Sequence, residues 1–327
     1  IFNAQLKAAA LDETYRAGIV SLSARDVIVG ATSVDLGDHF YFDTQISGNP
    51  ELEHWENTLY LNSAQLTGSG LAEIHIGNID ESEEGEIDEA NSTHTIAIEA
   101  DARLAAPVIS LTALNDITMG ENAVVEGTGE TGSVSMHSRT GKLKMLAGSL
   151  VQSAYQTAID AAGLERGGDI IAGQVLKLSS DRLYITDLAH QTLAQADEML
   201  VDQDFWESFQ TLAQVWLTGR EQVGFGGSVS LETTDAIVVD TPSIAQVSQD
   251  PEDGTHTVSF NTTDLYLYNS QSDEAGADSC SANTASFTAN ARTISIGRGH
   301  TSFTGFETIS LTSAGNITFN GQGSLAT

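Results

Sequence analysis

The chain has 327 residues, 40% hydrophobic and only 6% aromatic, enough to bury a large aliphatic core. Its 45 acidic and 13 basic residues give a formal net charge of −32, which repels nucleic acid and anionic lipid. No apolar run approaches the ~20 residues of a membrane span, and a lone cysteine, Cys280, excludes an internal disulfide framework.

NAQLKAAALDETYRAG (3–18) predicts a helix between Asn3 as N-cap and Gly18 as stop, so residues 1–19 form an N-terminal helical segment. From 20 to 149 the pattern changes to short apolar-x-apolar triplets, each followed by a polar bend and a second triplet. Val20/Leu22 precede Val27/Val29, Ile109/Leu111 precede Ile117/Met119, and Val134/Met136 precede Leu143/Met145. Alternation of this kind turns the apolar residues to one face of a strand. The acidic run DESEEGEIDE (80–89) lies between Ile74/Ile76 and Ile96/Ile98 and reads as an exposed loop. It lacks the ligand spacing of an EF-hand, although weak Ca²⁺ binding suits its charge.

LVQSAYQTAIDAAG (150–163) places Val151, Tyr155, Ile159 and Ala162 on one helical face, which predicts a helical insertion over 150–164. Residues 165–187 return to the strand pattern with Leu176/Leu178 and Leu183/Ile185. A second helical insertion is predicted over 188–223. Its stripe is Phe205, Phe209, Leu212 and Trp216, with Asp204 and Glu207 as a capping box and Gly219 as terminator. With Trp206, this stripe is the candidate partner-docking surface; the competing reading is packing against the β scaffold. Residues 224–327 resume the triplets with Val229/Leu231 and Ile237/Val239, then Val258/Phe260 and Leu265/Leu267, then Ile309/Leu311 and Ile317/Phe319. ISLTALNDITMG (109–120) is echoed by ISLTSAGNITFN (309–320).

The connectors TTDA, NTTD, SSDR and SARD lack the glycine that tight hairpins favour, and suit corners at which a strand turns onto another side of a coil. The predicted fold is therefore all-β: a parallel β-helix, or β-solenoid, with helical insertions. A jelly roll or sandwich is the alternative.

Chemistry is sparse. The eight histidines, His39, His54, His75, His94, His137, His190, His256 and His300, give no HExxH or other close ligand pair. Nucleophile-elbow and P-loop motifs are absent. GFGGSV (224–229) precedes a strand and reads as a turn, and Cys280 has no basic neighbour in sequence to activate it. No catalytic residue and no cofactor are expected.

IEADARLAAPVISLTALNDITM (98–119), GGDIIAGQVLKLSSDRLYITD (167–187) and ISLTSAGNITFNGQGSLA (309–326) resemble the haemagglutinin-type β-helix of large secreted bacterial adhesins, exemplified by filamentous haemagglutinin. The resemblance covers about a fifth of the chain. It implies a right-handed parallel β-helix, an extracellular or bacterial cell-surface location, and a structural or adhesive role. The expected partners are protein, by self-assembly or continuation of a longer chain, and cell-surface glycan, without nucleic acid or membrane insertion. Ile1 at the start and the mid-pattern end at Thr327 fit a processed or excised segment. Two other functions are weighed against this one: a carbohydrate-active β-helix enzyme, and a binding module that docks through the helical insertion.

Overall fold

The computed structural model describes residues 17–31, 57–82, 85–191, 198–247, 255–271, 285–321 and 323–326. The helix predicted over 3–18 lies almost wholly outside the described residues, as does Cys280. The described chain is nearly all β, its strands pair in parallel, and it forms two compact units.

The first unit comprises residues 1–157 and 165–171. Its chain visits three parallel ladders in turn and then repeats the circuit. The first ladder contains Ile19–Leu22, Glu73–Ile76, Val108–Ala113 and Ser133–Ser138. Val20, Ile74, Ile109 and Val134 stand in one register row; Leu22, Ile76, Leu111 and Met136 stand in the next inward row. The second ladder aligns Val27, Ile96, Ile117 and Leu143, then Val29, Ile98, Met119 and Met145. The third aligns Leu104, Val125 and Val151. Most of these side chains are fully buried, so the apolar half of each triplet builds the core.

One corner recurs, at the bend from the second ladder to the third. Asp101 (φ 60°), Asn122 (φ 56°) and Gly148 (φ 73°) each take the left-handed conformation at the same bend of successive circuits. The Asp101 N–H donates to Glu121 O, and the Asn122 N–H donates to Ala147 O. Asn and Asp tolerate this geometry because their short polar side chains bond locally, and Asn122 Nδ2 donates to Asp101 Oδ1 at 3.2 Å. A Cβ on Gly148 would lie 2.4 Å from Asn122 Oδ1, so a side chain at the third corner would have to displace the Asn122 amide.

The second unit comprises residues 158–164 and 172–327. Val175–Thr186, Gln214–Gly226, Thr257–Tyr268 and Ala285–Ile296 are its long strands. Leu176, Val215, Ile237, Leu265, Ile294 and Ile317 form one inward row. A neighbouring row stacks Val229, Val258, Phe287 and Ile309. Phe225, Phe260 and Phe287 pack edge to face at 5.8 and 5.1 Å, and Phe303 and Phe306 continue the cluster. Side chains in contact across adjacent layers here lie 29 residues apart, as with Ser230 and Ser259 at 2.9 Å. The Leu176 row ends on Ile317, and the row two residues along, through Ile296, ends on Phe319; the two are 45% and 64% exposed.

Both predicted helical insertions are corrected. Residues 150–164 hold strand Leu150–Ser153, strand Gln156–Asp160 and the start of strand Gly163–Arg166. Val151, Tyr155 and Ile159 are spaced by four, which satisfies the two-residue period of a strand as well as the turn of a helix. Val151 and Ile159 point inward, and Tyr155 sits at the exposed bend between strands. Within 188–223 the described helix is confined to Gln203–Glu207 and a 3₁₀ turn, Ser208–Thr211. Its N-cap is Asp202, whose Oδ1 accepts the Phe205 N–H at 3.0 Å, two residues earlier than the predicted Asp204–Glu207 box. Leu212 is already extended, and Gln214–Gly226 follows as a strand rich in residues that favour one.

Candidate functional site

The docking stripe read from helical periodicity does not form one face. Phe205, Trp206, Phe209 and Leu212 are buried, with the Phe205 and Phe209 rings 5.2 Å apart edge to face. Trp206 Nε1 donates to Thr186 O at 2.9 Å, which locks its indole inside the second unit. These four residues are core. Trp216 belongs to the following strand, where Val215 and Leu217 turn inward and its indole turns outward.

That outward position makes Trp216 part of a groove. Across parallel strands, Lys177, Trp216, Val238, Tyr266 and Ser295 occupy one outward row. Gln214, Ala236, Asp264 and Thr293 form the row on one side, and Thr218, Asp240 and Tyr268 the row on the other. The cleft has a volume of about 340 Å³. Val238, only 4% exposed, lies between Trp216 and Tyr266, which is 40% exposed. Ala236, Asp235, Asp264 and Tyr268 complete the lining.

The polar groups around the groove are held by neighbours. Lys177 Nζ lies 4.7 Å from the Trp216 ring centroid, on the side of the preceding strand. Gln214 Nε2 donates to Asp235 Oδ2 at 2.7 Å, and Trp216 Nε1 donates to Gln214 Oε1 at 3.3 Å. Thr293 donates to Asp264 Oδ1, and Arg292 lies 3.8 Å from the same oxygen. Asp240 accepts the Ser270 N–H and hydroxyl at 2.7 and 2.6 Å. Burial, with the Asp240 charge adding to it, pushes the Tyr268 phenol above its ordinary pKa, so it stays a neutral donor and acceptor.

Sequence reading missed a second cluster. Asp187, His190 and His256 meet where the chain brings together positions distant in sequence. His190 Nδ1 and Asp187 Oδ1 are 2.5 Å apart, and the two imidazoles pack edge to face at 5.1 Å. Among the described residues, none is a hydrogen-bond partner of the buried His256 Nε2. Burial raises the Asp187 pKa, but His190 and the N–H groups of Ser228 and Ala189 outweigh it and hold the carboxyl below its usual range. Gly227, the turn read from GFGGSV, has φ +71°; a Cβ there would lie 2.0 Å from Asp187 Oδ2. Asp187 and His190 sit three residues apart in a common turn pattern, and only the pairing of distant strands adds His256, so no local motif signals the cluster.

In the acidic run, Glu81 and Ile87 form an isolated antiparallel bridge, and Glu81 lies 3.8 Å from Arg139. Among the described residues, no group of three or more His, Cys, Asp or Glu side chains is placed to hold a metal ion. No family model, curated protein or solved structure matches the chain.

Proposed function

We propose that this chain is a structural or adhesive scaffold, a right-handed parallel β-helix from an exported bacterial cell-surface protein, and that it has no catalytic activity of its own. The observation that carries this reading is the in-register parallel stacking of inward apolar rows, from Val20 to Val134 in one unit and from Leu176 to Ile317 in the other. Such rows bury aliphatic area at roughly 25 cal/mol per Å², and the ladder bonds add stiffness along the stacking direction. The exposed Ile317 and Phe319 offer an apolar edge to a further layer of strands, from a longer chain or another copy.

Single-molecule stretching tests the mechanical role. A stack should peel layer by layer, and a 29-residue layer releases about 10 nm of chain. Release of each unit in one all-or-none event would count against a layered scaffold.

The second reading is a carbohydrate-active enzyme. It is favoured by the groove, which sets aromatic rings beside Asp235 and Asp264. Incubation with polysaccharides, followed by assay of new reducing or unsaturated ends, separates the two. Turnover abolished by Asp264→Asn would replace the scaffold reading.

A further inference from the structure

We propose that the groove between Trp216 and Tyr266 binds a neutral, linear saccharide that lies along the stacking direction. This rests on the adhesive part of the reading above and supplies its ligand class.

Three observations converge. First, the aromatic spacing suits a chain of pyranose rings. Trp216 and Tyr266 share a register row but are separated by the strand that carries Val238. Two strand spacings put their backbones about 10 Å apart, the length of a disaccharide. Buried Val238 and Ala236 leave a smooth floor between the rings. Sugar C–H faces stack on aromatic rings, and a cleft of about 340 Å³ falls within the size range of ligand sites.

Second, the flanks offer what sugar hydroxyls need. Asp235 and Asp264 accept hydrogen bonds, and the Gln214 amide and Tyr268 phenol both donate and accept. Each of these two carboxylates is already oriented by a neighbouring donor, so its remaining lone pairs face a defined direction. A saccharide satisfies such rows with alternating donors and acceptors along its edge.

Third, charge excludes the other polymers. Two carboxylates, Asp235 and Asp264, line the groove, and the nearby Lys177 ammonium is held 4.7 Å from the Trp216 ring centroid. Uronates, sulfated glycans and nucleic acids carry the same sign as these carboxylates and as the whole chain.

The test is titration of the intact protein, followed by tryptophan fluorescence and calorimetry, with neutral gluco-, xylo-, manno- and galacto-oligosaccharides of increasing length. Polygalacturonate fragments, heparin fragments and choline serve as contrasts. At least one neutral series should bind saturably and tighten with length until the groove is spanned. Trp216→Ala and Tyr266→Ala should each weaken it about tenfold with unchanged far-ultraviolet circular dichroism. Trp216→Phe and Tyr266→Phe keep a stacking face and should retain most of the affinity, which separates lost stacking from lost folding. The proposal is overturned by no saturable response to any neutral series, by tighter binding of the anionic fragments or choline, or by wild-type affinity in both alanine variants. Such a failure leaves the layered scaffold untouched, because stretching reads that separately.

Discussion

Phe209 and Trp216 stand seven residues apart and do opposite things. Phe209 is fully buried, so Phe209→Ser should cost about 4 kcal/mol or more, combining a cavity with an unpaired hydroxyl. Trp216→Ser removes an outward indole and should leave the melting temperature within a few degrees of wild type. Equal destabilisation by the two would place Trp216 in the core. Two ionisable groups, Tyr184 and the half-buried Asp187, carry shifted pKa values that tie stability to pH. Tyr184 is fully buried, and this burial, together with nearby Glu198 and Asp187 and against a bond from Thr186, raises its pKa to about 12. The folded state then holds a proton that the unfolded chain releases near pH 10, so stability should fall as pH rises from about 10 to 12. Tyr184→Phe should flatten that fall in alkaline melts. Asp187 has the opposite sign: its folded pKa is depressed, so its contribution is complete above the ordinary carboxylate range and is lost as pH drops through the folded value. Acid melts of Asp187→Asn should therefore lack part of the wild-type loss.

At the scale of the strand and its corner, the left-handed column Asp101, Asn122 and Gly148 sets how the chain turns from the second ladder to the third. Gly148→Val should destabilise by about 2 kcal/mol or more, because it adds both backbone strain and a clash with Asn122. Asn122→Gly should be mild, since glycine accepts the same φ. Denaturant midpoints distinguish the two. These elements also mark what the sequence made readable. The apolar triplets around Ile109 and Ile117 gave strands and an inward face, because a period of two has few competitors when Ile, Val and Leu alternate with Ser and Thr. Val151, Tyr155 and Ile159 misled, since a spacing of four fits helix and strand alike. Phe205 to Trp216 misled because a short buried helix runs directly into a strand, so the stripe crosses an element boundary. The groove was legible only as Trp216 itself. Its partners Tyr266 and Asp264 join it through pairing register, which local patterns do not encode.

Across the whole chain, the 13 basic residues are too few to balance 45 acids, and many of them already bridge neighbouring layers. Lys144 lies 2.6 Å from Asp116, Arg182 lies 2.8 Å from Glu221, and Arg220 lies 2.5 and 3.1 Å from Asp160 and Asp181. The remaining carboxylates repel one another, so moderate salt should raise the melting temperature by screening that repulsion. A fall on adding salt would mean that the ion pairs outweigh it. The account as a whole depends on parallel, in-register layers, and one measurement reaches that directly. In a Cys280→Ser background, Ser230→Cys with Ser259→Cys places two thiols where the native hydroxyls are 2.9 Å apart. Mild oxidation should form this disulfide nearly completely without lowering stability, while the displaced pair Ser230→Cys with Thr263→Cys should stay reduced. Efficient closure of the displaced pair, with none between residues 230 and 259, would contradict the layered parallel architecture.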